Sequence, residues 1–103
     1  MPYSIVYTAT FKAPGSRVTI PYSFSGNLII VEASTPSKPS SWNMAGVFYP
    51  ILDLSGIGKV SRQRAYVYFE KQTLEFPSLS KLRFTGEFYI RYWIPSLTLT
   101  FWE

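Results

Sequence analysis

Residues 81–94, KLRFTGEFYIRYWI, alternate over fourteen positions, and a side-chain period of two is the mark of a half-buried β-strand. The even positions hold Leu82, Phe84, Gly86, Phe88, Ile90, Tyr92 and Ile94, which predicts one face turned to a core. Lys81, Arg83, Thr85, Glu87, Tyr89, Arg91 and Trp93 occupy the other parity. A sheet needs no such mixture of charge and large rings merely to face water, so this parity is the strongest functional signal in the chain. Gly86 is expected to mark a bulge or bend that sets Tyr89, Arg91 and Trp93 apart from Lys81 and Arg83.

The same period extends outward on both sides. After Pro95-Ser96, the residues Leu97, Leu99 and Phe101 alternate with Thr98, Thr100 and Trp102. Before it, Pro77-Ser78-Leu79-Ser80 reads as a turn and Thr73 to Phe76 as a short strand. Arg64 to Glu70, RAYVYFE, sets Ala65, Val67 and Phe69 against Tyr66 and Tyr68. A helix competes over 62–72, where breakers are few, but the Tyr-Val-Tyr-Phe run favours a strand. Ser55 to Gln63 reads as a flexible basic loop, and Val47 to Leu54, VFYPILDL, as a strand in which Pro50 implies an edge or a kink.

The proline- and serine-rich segment from Thr35 to Gly46 is the longest stretch without periodicity, a surface loop carrying Trp42 and Met44. Its length suits either a crossover between sheets or a binding loop. Leu28 to Ser34, LIIVEAS, predicts a central strand covered on both faces. Tyr3 to Lys12 and Arg17 to Ser25 alternate around Ala13-Pro14-Gly15-Ser16 and are expected to form an N-terminal hairpin, with Pro21 demanding an edge or a bulge. Seven or eight short strands without an amphipathic helix predict an all-β, antiparallel β-sandwich, with a small β-barrel as the alternative.

The chain of 103 residues is long enough for one domain spanning 1–103. Cysteine is absent, which excludes disulfides and thiolate metal sites; a cytoplasmic location is the expectation, and a secreted domain without cysteine the alternative. The opening Met-Pro-Tyr-Ser brings neither the basic nor the apolar region of a signal peptide, and no window reaches the roughly 18 apolar residues of a membrane span. A net charge of +4 permits an anionic partner and is equally ordinary for solubility. Eight Tyr, eight Phe and three Trp exceed the needs of so small a core, so some rings must lie outside it.

With no histidine as well as no cysteine, the Ser-His-Asp and Cys-His templates and the usual zinc sites are excluded. The six carboxylates are scattered singly, and no catalytic residue, metal or cofactor is expected. Glu32 and Asp53, each continuing an apolar parity, are the one pair worth testing as a glycosidase-like couple. Gly56-Ile57-Gly58-Lys59 resembles a phosphate loop only in outline, because Asp53 and Val60 stand where glycine and a hydroxyl residue are required. Gly56, Gly58, Lys59, Arg62 and Arg64 remain as a weak anion loop or a solvated turn.

These exclusions leave the aromatic and basic parity. Tyr66, Tyr68, Arg83, Tyr89, Arg91 and Trp93 are the candidate binding residues. The expected function is a binding or assembly module, not an enzyme, that self-associates or docks a protein partner through this face or an edge strand. The alternative is ring stacking on a glycan or single-stranded nucleic acid with Arg and Lys contacts. Burial of the same rings against another sheet, with no ligand, is the competing structural explanation.

Overall fold

The computed structural model describes residues 3–11 and 17–103. Nine strands run through these residues: β1 Ile5–Phe11, β2 Arg17–Phe24, β3 Leu28–Ser34, β4 Met44–Leu54, β5 Gly58–Ser61, β6 Ala65–Tyr68, β7 Lys71–Glu75, β8 Phe84–Ile90 and β9 Leu97–Trp102. They form two packed antiparallel sheets, ordered β1-β9-β3-β7 and β2-β8-β4-β5, with β6 following β5 along the same side of β4. The molecule is an open sandwich and not a closed barrel. The segment 62–72 holds β6 and the start of β7, one in each sheet, and no helix, as its aromatic and β-branched content favoured.

The alternation in β8 is the clearest link between sequence and packing. Phe84, Gly86, Phe88 and Ile90 are buried on its inner face, and β8 lies between β2 and β4 at the centre of the larger sheet. The strand is shorter than its pattern: Leu82 is exposed just before it, beyond the 3-10 turn Pro77–Leu79, and Arg91 onward leaves the ladder. Opposite it, Ile29, Val31 and Ala33 of β3, Leu74 of β7 and Leu97, Leu99 and Phe101 of β9 complete the core. Phe48 sits among Phe24, Phe76 and Phe101 with ring centroids 6.2, 6.0 and 5.6 Å away, tilted or edge-on as aromatic quadrupoles prefer.

Several local expectations change. β1 and β2 are not a hairpin; β1 pairs with β9 in one sheet and β2 with β8 in the other, and the turn expected at Ala13–Ser16 lies outside the described residues. Each strand takes its hydrogen-bonded neighbour from the C-terminal part of the chain, within its own sheet. β3 is central but alternates, with Ile29, Val31 and Ala33 buried and Leu28 exposed, so one face only is core. A register shift between Ile5 and Tyr7 breaks the expected parity of β1 and leaves Ile5 outside. The 55–63 loop is a tight hairpin containing β5, and Met44 to Gly46 belong to β4.

Pro50 and Gly86 both have an explanation in their cross-strand neighbours that local reading misses. Pro50 lies in a strand paired on both sides, not at an edge. Its carbonyl accepts the Arg62 N–H at 3.1 Å, and because N–H and C=O of one extended residue point the same way, its missing donor faces the break between β5 and β6. Gly86 carries no bulge. The register irregularity is in β2, between Ile20 and Phe24, where Pro21 lies on an edge strand as predicted. Glycine is required at 86 because a Cβ there would stand 2.5 Å from Phe48 Cε1 and 2.9 Å from the Tyr49 carbonyl oxygen.

The outer edge of β6 is closed by a side chain. Gln72 Oε1 accepts the Tyr68 N–H at 2.8 Å while its Nε2 donates to the Tyr66 carbonyl at 3.2 Å. The amide thereby stands in for the next strand, a protection against edge pairing. Gln72→Ala is expected to cost about 1–2 kcal/mol in chemical denaturation, and Gln72→Glu, which keeps the acceptor and loses the donor, to fall between. Equal stability of all three chains would show that these contacts are idle.

Candidate functional site

The outward positions of the larger sheet fall into register across four strands. Tyr66 of β6 stands beside Val47 of β4, Val47 beside Tyr89 of β8, and Tyr89 beside Arg17 of β2. With about 4.8 Å between strands, Tyr66 and Tyr89 are roughly 10 Å apart. The next outward row is Tyr49, Glu87 and Thr19. The Arg17 guanidinium lies 5.0 Å from the Tyr49 ring centroid and that of Arg64 5.7 Å from Tyr66, both within cation–π range. Tyr66 is 46% exposed, Tyr89 40% and Tyr68 38%, so neither sheet covers these rings.

The predicted set is therefore divided. Tyr66, Tyr68 and Tyr89 share one end of this face, with Tyr68 opposite Met44 at its margin. Arg83 is at the far end, about 20 Å along the strand from Tyr89, where its Nε donates to Ser23 Oγ at 3.1 Å and a second N–H to the Ser23 carbonyl. Arg91 and Trp93 lie past the end of β8 in the connection to β9. The Arg91 N–H donates to the Ala45 carbonyl at 3.0 Å, its guanidinium lies 5.4 Å from the Tyr92 ring, and Trp93 is 71% exposed. The separation expected at Gly86 comes instead from the ends of the strand.

The glycines of the proposed anion loop are explained by backbone geometry. Gly56 and Gly58 adopt φ of 80° and 104°, the left-handed region glycine enters freely, and the Ile57 N–H closes the turn on the Leu54 carbonyl at 3.0 Å. Lys59 is in register with Asp53, Arg62 marks the break opposite Pro50, and Arg64 joins the tyrosine face. The cations are strung along an edge rather than gathered. Glu32 and Asp53 project from the outer faces of different sheets, with the core between them, and cannot act as a pair.

Local reading missed Arg17, Val47 and Tyr49. The run VFYPILDL is apolar on both parities, so its periodicity does not say which side is outside; only pairing with β8 assigns Val47 and Tyr49 to the exposed face. It also missed the end of the sandwich where the 35–43 loop, the β6–β7 turn and residues 91–96 meet. There Trp42 stacks on Tyr92 at 4.3 Å and 1°, so Tyr92 is a support for the loop and only partly core. Among the described residues no group of three metal-ligating side chains occurs and no helix is long and apolar enough to cross a membrane. No protein-family model, curated protein or solved structure matches the chain.

Proposed function

We propose that this domain is an assembly module that associates with a second copy of itself through the outer face of the larger sheet. The observation that carries this reading is the half-exposed row Tyr66, Val47, Tyr89 and Arg17, extended by Tyr49. Tyrosine and arginine are residue types that supply interface energy, tyrosine because its rigid ring buries a large area at small entropic cost and arginine because its guanidinium stacks on rings and donates several hydrogen bonds. The face also carries both signs of charge. A two-fold related copy can set Arg17 or Arg64 against Glu87, which a self-complementary surface requires.

Sedimentation velocity over a concentration series tests this. The wild-type chain is expected to show reversible, concentration-dependent association, and the Tyr66→Ser/Tyr89→Ser double variant to weaken it at least tenfold with the fold intact. A chain that stays monomeric at the highest attainable concentration overturns the reading. The two arginine–tyrosine pairs favour a second reading, in which the same rings stack on single-stranded nucleic acid or a glycan. Oligonucleotide binding that falls steeply with salt and is lost in the same variant would replace self-association as the function.

A further inference from the structure

We propose that the cleft between the 35–43 loop and the β6–β7 turn is a binding site for a neutral sugar of a single ring. The cleft measures about 270 Å³ and is lined by Lys38, Ser40, Trp42, Asn43, Tyr68, Phe69 and Glu70. That is just below the range of drug-sized ligand sites, which run from about 300 Å³ upward, and it suits a ligand of a single ring. Its lining combines three aromatic rings with a hydroxyl, an amide and a carboxylate. A pyranose has the matching character, with C–H faces that pack on rings and hydroxyls that each donate and accept a hydrogen bond.

Charge selects a neutral ligand. The cation in the lining is Lys38, whose ammonium already donates to the carbonyls of Pro39 at 3.2 Å and Trp42 at 3.0 Å. An anionic ligand would meet the Glu70 carboxylate, and two of the three Lys38 ammonium donors are already used, so that the one positive and one negative charge of the lining give an anion no net attraction. A cationic ligand, which three rings and a carboxylate would otherwise suit, would meet Lys38, which lies 5.9 Å from the Phe69 ring centroid. Between these two repulsions a ligand without net charge is favoured.

The loop is also held as a binding wall needs to be. Besides the two Lys38 bonds, the Trp42 N–H donates to the Pro39 carbonyl at 3.1 Å, the Phe69 N–H donates to the Asn43 carbonyl at 2.9 Å, and Trp42 stacks on Tyr92. Ordering a proline- and serine-rich connection in this way opposes chain entropy, and a wall ordered in advance lowers the cost of binding. The 35–43 loop also connects β3 of one sheet to β4 of the other, and Trp42 and Tyr92 pack against the end of the core, so the wall is anchored to the sandwich itself.

Amide and indole NMR titration with the methyl glycosides of glucose, galactose, mannose and N-acetylglucosamine tests the site. At least one is expected to produce saturable shifts at residues 38–43, 68–70 and the Trp42 indole with millimolar affinity. The Asn43→Ala/Glu70→Ala variant, altered at two exposed side chains, should weaken that sugar at least tenfold. Tyr66→Ser/Tyr89→Ser should leave it unchanged, which separates this site from the assembly face. The proposal is overturned if no glycoside gives saturable shifts, if the shifts survive the Asn43/Glu70 substitutions, or if uridine and adenosine bind where the sugars do not.

Discussion

Gly46→Ala is expected to destabilise the domain by about 3 kcal/mol or more, near the upper end for overpacking a core. The added Cβ would be driven into the Tyr89 carbonyl oxygen and would lie 2.7 Å from both Cε1 and Cζ of Phe88. A ring can turn aside at modest cost, but a carbonyl in a central strand cannot, because β8 is held by β2 on its other side, with Arg17 in register with Tyr89. Relief would require β4 and β8 to separate. For a domain whose total stability is about 5–15 kcal/mol, the denaturant midpoint should fall sharply. The tyrosine row should suffer with it, since Val47 and Tyr89 belong to the two strands forced apart. An unfolding free energy within about 0.5 kcal/mol of wild type would mean the strands are not this close.

Gly86→Ala is expected to cost about 2–3 kcal/mol, and here the cause can be isolated. The colliding group is largely the Phe48 ring, with the Tyr49 carbonyl at 2.9 Å as a second neighbour. Phe48→Leu removes the distal ring atoms and by itself should destabilise, since the Phe24, Phe76 and Phe101 rings lose a partner. Combined, the two substitutions should be less harmful than their sum by about 1 kcal/mol or more, because the shorter leucine side chain vacates the space that the new methyl group enters. Additive losses in equilibrium unfolding would show that backbone displacement, not the ring, sets the penalty.

How much of this was legible beforehand depends on whether a residue's environment is made by its neighbours in sequence. The strands β8 and β9 were, because Phe84, Phe88, Ile90, Leu97, Leu99 and Phe101 alternate with polar residues and one face is core. β4 was only half legible: apolar residues on both parities made a strand evident and concealed its outer face. Gly58 to Ser61 looked like loop because four residues with a glycine and a lysine carry no period; their strand character comes from pairing with Ile51 to Leu54. The candidate site follows the same division. Tyr66, Tyr68 and Tyr89 were identifiable as outward rings, while Arg17 and Tyr49 joined them only through register.

By itself, then, the order of residues determined the all-β class, the inward set of β8 and β9, and the exclusion of histidine and thiolate chemistry, since each depends on composition or on a period of two. Tertiary structure alone decided that β1 and β2 part into different sheets, that Pro50 sits harmlessly in a central strand, and that Arg17 stands beside Tyr89 and Tyr49 beside Glu87. Pairing between strands joins residues distant in the chain. A side-chain period records which way each residue points, but not which strand lies beside it.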